Sequence, residues 1–170
     1  MAETASIISP DKKVLIPAQH AGCSLAESLT GYELREWKKA NPDGIVVSYV
    51  NTTAEVKAWT DICCTSANAL KVVESLPEDR KILFVPDKNL GAWIQKKTGR
   101  ALELWQGDCC VHERITSEMI LQKSQEYPEA DILIHPESHC SHDDAILNLP
   151  QAYMSVSYTH LRAHETVLDL

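Results

Sequence analysis

Residues 105–116 read Trp-Gln-Gly-Asp-Cys-Cys-Val-His-Glu-Arg-Ile-Thr. Two adjacent thiols, Cys109 and Cys110, are followed closely by the imidazole of His112 and the carboxylate of Glu113. Thiolate, imidazole and carboxylate are the groups that ligate transition metals, and the last two also hold and move protons. Side chains of the same kind recur at Cys23, beside Gly22, and around Pro136, where His135 and Glu137 flank the ring. Such residues do chemistry together only if the fold brings them to one place.

The pattern of the chain supplies a fold that would. Short apolar runs at 14–16, 45–50, 62–64, 81–85, 101–105 and 131–134 predict strands. Between them, helical spacing predicts helices over 32–40, 54–59, 67–75, 90–97 and 117–127. Thr30 is placed to cap the first of these, while Asn41-Pro42-Asp43-Gly44, Thr98-Gly99 and Pro128 mark stops. This alternation predicts an α/β fold of Rossmann-like three-layer αβα domains with short parallel sheets. Polar residues collect after the strands: Cys23 after the first, then Asn51 and Thr52 with Tyr49 inside the strand's final turn, then Thr65 and Ser66, then Asp87 and Asn89, then Cys109 and His112, and last His135 and Glu137. The carboxyl ends of parallel strands form a ligand crevice, so six loops are expected to converge on one edge.

Composition narrows the function. The 170 residues are 44% hydrophobic and 24% charged, as in soluble globular proteins. A net charge of -8 without clustered Lys and Arg argues against a nucleic-acid partner. No run approaches the roughly 20 apolar residues of a membrane span, and the N-terminus lacks a signal-peptide pattern, so no membrane partner and a cytoplasmic location are expected. In that compartment the six cysteines read as thiols or metal ligands rather than disulfides.

Each constellation has a plain structural reading beside the chemical one. A free Cys in a loop is often a small buried hydrophobe, but Cys23 and Cys109 in two loops of one sheet edge favour a metal or cluster. Their wide separation in the chain excludes a local zinc knuckle, whereas iron–sulfur clusters draw thiolates from distant loops. Cys63 and Cys64 lie in strand-like sequence and read as packing residues. Cys110 is expected to point away from Cys109, and His139, Cys140 and His142 read as a solvated loop more readily than a metal site. Thr65-Ser66 at a helix start is first an N-cap, worth ~1 kcal/mol, although the same N–H groups bind anions. Glu137 beside an imidazole is a candidate acid–base residue.

Several segments together resemble the quinolinate synthase family. They are Val-Ser-Tyr-Val-Asn-Thr-Thr-Ala-Glu-Val-Lys from Val47, Cys-Thr-Ser-Ala-Asn-Ala from Cys64, Pro-Asp-Lys-Asn-Leu-Gly from Pro86, Gly-Asp-Cys-Cys-Val-His from Gly107, and His-Pro-Glu from His135. The resemblance covers about residues 10–150. It implies an enzyme of NAD biosynthesis, with three αβα domains around a [4Fe–4S] cluster held by three cysteines. Such an enzyme condenses iminoaspartate with dihydroxyacetone phosphate to quinolinate, and L-aspartate oxidase is the implied supplier of iminoaspartate. Cys23 and Cys109 match cluster cysteines, and the third has no counterpart in this chain. Tyr49 and Asn51 match substrate contacts, Ser66 a carboxylate or phosphate contact, His112 and His135 pocket residues, and Glu137 the acid–base residue, with Tyr49 and His135 beside it in catalysis. Ser138 departs from the pattern, since many relatives carry Cys there.

On this reading residues 1–28 end a first domain, 29–110 form a second, and 111–150 begin a third. Residues 151–170 look non-native: the pattern is lost from Gln151, and 156–166 resemble one frame of a sequencing adapter, which would leave His160 and His164 without meaning. The gene is then expected to be truncated at both ends and the fragment inactive. The alternative reading is a non-catalytic metal- or thiol-dependent binding module, or a redox sensor using the vicinal cysteines.

Overall fold

A computed structural model describes residues 1–19 and 21–156; His20, His160 and His164 lie outside the described residues. Its centre is a four-stranded parallel sheet of β1 (Ile45–Tyr49), β2 (Ile62–Cys64), β3 (Ile82–Val85) and β4 (Glu103–Leu104), in the order β2-β1-β3-β4. Helices cover both faces, as expected for an αβα layer. The period of two along a strand sorts the apolar side chains. Val47, Ile82 and Phe84 face α5 (Ala69–Glu74) and α6 (Lys88–Thr98), while Val46, Leu83 and Val85 face Leu34 of α3 (Gly31–Ala40) and Val56 of α4 (Ala54–Lys57). That double burial is why Ile82–Val85 is an unbroken apolar run.

Local chemistry sets the helix ends. Thr30 and Glu33 form a reciprocal capping box at the start of α3. Asp87 caps α6 by accepting from the Leu90 N–H at 2.7 Å, so that helix begins earlier than the apolar spacing alone predicts. Gly99 closes it in the left-handed region (φ 69°), where a side chain would be strained. The helix expected over 67–75 starts only at Ala69, because the Asn68 side chain turns back to accept from the Thr65 N–H at 2.6 Å. Thr65 and Ser66 therefore lie in a turn ahead of the helix, a correction to their reading as its cap.

Two further expectations are corrected. Residues 14–16 form no strand: Leu15 is 81% exposed, and among the described residues no strand pairs with them. Instead the N-terminal segment carries α1 (Ala2–Ile8) and α2 (Ser24–Glu27), with Cys23 at the N-cap of α2. The stretch just after Gln151 is also patterned, since β6 (Ala152–Met154) pairs in parallel with β5 (Ile132–Ile134) in a second sheet. Ala152 and Met154 pack with Ile134, Cys140 and Ile146 into a small core that includes Ile120 and Leu121 of α7 (Ser117–Glu126) and lies beside α8 (Asp144–Leu147). The apolar alternation there is too short to stand out in the sequence.

The two sheets are joined through α6. Lys96 reaches the His142 carbonyl at 3.0 Å and the Asp144 carboxylate at 2.6 Å, and Asn89 donates to the Glu137 carbonyl at 3.2 Å. Among the described residues no helix is long and apolar enough to cross a membrane.

Candidate active site

The carboxyl edge of the four-stranded sheet gathers the loops after β1 to β4. Glu137 and His135 arrive from the second sheet, and Cys23 arrives at a helix cap rather than a strand end. The loops thus do not reach the site as six strand ends of one sheet.

The segment carrying Cys109 is tied to this edge by its backbone. Gly107 bridges Asp87, and its carbonyl accepts from the Lys88 N–H at 2.8 Å. A side chain at Gly107 would collide with Ser28 and, at 2.5 Å, with the Pro86 carbonyl, so only glycine permits this approach. The chain then turns, with the Glu113 N–H donating to the Cys109 carbonyl at 2.8 Å, into a short 3-10 turn at His112–Arg114. Glu113 fixes the outer side by pairing with Lys88 at 3.1 Å and His139 at 3.2 Å and accepting from Asn89 at 2.7 Å.

Inside this frame Glu137 is the centre. Its side chain is buried, with Oε2 at 3.3 Å from Nδ1 of His112 and Oε1 at 4.0 Å from Nδ1 of His135. The His112 contact pairs a half-buried ring with this buried carboxylate. Burial pushes the Glu137 carboxyl up, but His112, Tyr49 and His135 outweigh it and hold the group below the usual carboxylate range. The carboxylate in turn holds His112 above the usual imidazole range, burial opposing it. His135 moves the other way, because burial disfavours its charged form. The Glu137 N–H donates to Nδ1 of His135 at 3.3 Å, which places the ring proton of neutral His135 on Nε2. That Nε2, together with Glu137 Oε1, is buried with no protein partner. Burial and the facing Glu137 carboxylate push the Tyr49 phenol up, so it stays protonated.

The arrangement is a buried carboxylate flanked by an imidazole whose charged form it favours, an imidazole whose charged form burial disfavours, and a phenol. Such a set binds an oxygen-rich molecule and can move protons on it. The sequence reading named Tyr49, His112, His135 and Glu137, and the fold brings them together. Asn51 stands apart, donating from Nδ2 to the Cys23 sulfur at 3.2 Å. The pair lines an adjoining cavity of about 540 Å3 with Gly22, Glu27 and Thr52. Ser66 is buried in the turn after β2 at the same edge, and no hydrogen bond joins it to the cluster among the described residues.

Asp87 is the residue that sequence reasoning passed over as a site member. It is fully buried, its Oδ2 has no hydrogen-bond partner, and burial pushes it up to about 7, with Glu137 adding to the rise and the Leu90 N–H opposing it. Its signal was the Pro-Asp pair that ends an all-apolar strand, which reads equally as an ordinary helix cap.

Two sets of side chains have metal-binding chemistry. Cys23 and Cys109 are free, half-buried thiols at one sheet edge, a donor set that suits an iron–sulfur cluster. Cys109, His112 and Glu137 also offer ligand atoms that all lie within 4.8 Å of one another. The remaining thiols differ. Cys64 is buried and pushed up to about 12, Cys140 sits in the small core, and Cys63 and Cys110 are exposed.

Comparison with known proteins agrees with the motifs. The family described as Quinolinate synthetase A protein matches residues 1–165, a span that crosses most of the range read above as non-native. A quinolinate synthase of Pyrobaculum aerophilum is 51% identical over 158 residues, covering 93% of this chain and 51% of the relative. One of Synechocystis is 52% identical over 137 residues, 81% of this chain and 43% of the relative, and one of Mycobacterium tuberculosis is 54% identical over 142 residues, 83% and 41%. The chain spans about half the length of the curated relatives it matches.

Proposed function

The chain belongs to the Quinolinate synthetase A protein family, and on that premise we propose that it forms part of a quinolinate synthase, with Glu137 as the acid–base residue. The reaction joins iminoaspartate to dihydroxyacetone phosphate and releases phosphate and two waters, leaving quinolinate. Each dehydration removes a proton, from nitrogen where the ring C=N forms and from carbon where the ring C=C forms, and delivers one to a departing hydroxyl. The observation that supports this reading is the buried Glu137 carboxylate set between two imidazoles, 3.3 Å from Nδ1 of His112 and 4.0 Å from Nδ1 of His135, which holds His112 above the usual imidazole range while burial lowers His135. The carboxylate takes the proton, His112 returns one, and the His135 Nε2–H with the Tyr49 hydroxyl orients the substrate oxygens.

Asn51 contacts substrate beside Cys23, and Ser66 holds a carboxylate or the phosphate at the rim. Cys23 and Cys109 would be thiolate ligands of a [4Fe–4S] cluster. When bound, that cluster supplies a Lewis-acidic iron for loss of hydroxide. We place the enzyme in the cytoplasm, fed with iminoaspartate by L-aspartate oxidase, and read 29–110 as its second domain.

The test is anaerobic purification of the protein carrying this sequence, followed by assay with the two substrates. Broad iron–sulfur absorption and quinolinate formation are expected, with the absorption lost in C23S and C109S. Absence of both from the unaltered protein overturns the proposal. A thiol redox sensor fits less well, because the Cys64 member of the vicinal pair Cys63-Cys64 is buried and its thiol is pushed up to about 12, which disfavours the reactive thiolate.

A further inference from the structure

The family reading uses Cys109 as one corner of a cluster and leaves His112 and Glu137 to the substrate. The three side chains nevertheless form a compact ligand set by themselves, with ligand atoms all within 4.8 Å of one another. One of them is a carboxylate only 4% exposed, whose Oε1 is buried without a protein partner. A buried, unpaired carboxylate oxygen is costly unless something occupies the space in front of it. We propose that, whenever no cluster is installed, Cys109, His112 and Glu137 take a single divalent cation of the zinc class.

The donor types set the choice of ion. One thiolate, one imidazole and one carboxylate are the mixed soft and borderline donors that zinc accepts, whereas magnesium and calcium demand oxygen. Three protein ligands leave a fourth position for water, as in open zinc sites. Around a tetrahedral zinc, ligand atoms lie roughly 3.5 Å apart, so the set must close by about 1 Å, within reach of side-chain rotation. Cys109 and His112 sit on the short turn closed by the Glu113 N–H, and Glu137 is held by Asn89, so the approach needs no movement of a strand.

The consequence is competition. An ion at this position removes Cys109 from the cluster, His112 from its proton and Glu137 from its base role. Zinc is therefore an inhibitor of both cluster assembly and turnover, and cluster and ion are mutually exclusive. Cys23 takes no part in the ion site, which separates this inference from the cluster assignment.

The test is titration of the cluster-free protein with Co2+, whose thiolate charge-transfer absorption reports sulfur ligation, followed by displacement with Zn2+. One equivalent of Co2+ should give the band, and Zn2+ should remove it. C109S should abolish the band, E137Q should weaken binding at least about 10-fold, and C23S should leave both unchanged while iron–sulfur loading falls. Circular dichroism establishes that each variant is folded, and E137Q, nearly isosteric, carries the test if C109S is not. No thiolate band in the unaltered protein, a band that survives in C109S, or loss in C23S in its place overturns the ion site. None of those results bears on the cluster, which is read from iron–sulfur loading in C23S.

Discussion

His112 and His135 stack with ring centroids 4.8 Å apart and planes inclined by 17°, yet their protons are held in opposite senses. The Glu137 carboxylate raises His112, while burial lowers His135, and the charge on His112 lowers His135 further. In the metal-free protein, NMR titration of the two rings should give His112 above and His135 below the ordinary imidazole value. His112 therefore adds stability that is full below its unfolded value and is lost as pH rises through its folded one. For His135 the sign reverses, and stability is lost as pH falls through its depressed value. Replacing Glu137 by Gln should bring His112 down; an unmoved His112 would show that the carboxylate is not the cause.

Asp87 gives a second pH signature. Its folded value of about 7 exceeds that of an unfolded carboxyl, so its contribution is favourable at low pH and is lost as pH rises from the unfolded value through 7. D87N keeps an oxygen for the Leu90 N–H and removes the buried charge. Above pH 7 the variant should be more stable, by on the order of a few kcal/mol at most, and its unfolding curve should be flatter in pH. Urea melts at two pH values read the difference, and a variant destabilised at high pH would contradict it.

Gly107 ties the Cys109 turn to the sheet. In G107A the new methyl meets the Pro86 carbonyl, which belongs to backbone and cannot rotate away. We expect a loss of about 1–3 kcal/mol together with reduced iron incorporation. Removing the Ser28 side chain in the same protein should not restore either, because the carbonyl contact remains. Calorimetry and iron analysis check both.

Asn89 joins the two sheets by donating to Glu113 and to the Glu137 carbonyl from a nearly fully buried position. N89A leaves both acceptors short of a partner, and a cost of about 1–3 kcal/mol follows. Hydrogen exchange should rise most in 135–142, where the second sheet meets α6. Uniform exchange across the chain would argue against Asn89 as the link.

Much of this was readable in the order of residues, for physical reasons. Ile82–Val85 is buried on both faces, so its apolar run is continuous, and Thr30 with Glu33 spells a cap. The four central side chains were identifiable because Tyr49 ends β1, His112, His135 and Glu137 lie beyond strand ends, and each matches a family motif. What sequence alone missed depends on tertiary partners. Val14, Leu15 and Ile16 look like a strand but have nothing to pair with, and Ala152–Met154 look like nothing until β5 lies beside them. Asp87 hides because a helix cap and a buried, unpaired carboxyl look identical in one dimension.

The most direct measurement is quinolinate formation by E137Q, purified without oxygen and compared with the unaltered protein at equal iron content. Glu137 touches no cluster thiol in its proposed role, so iron–sulfur absorption should persist while turnover falls about 100-fold or more, the usual weight of a general acid–base group. Turnover that survives in E137Q at full iron content would contradict the assignment of Glu137 as the proton-transfer residue.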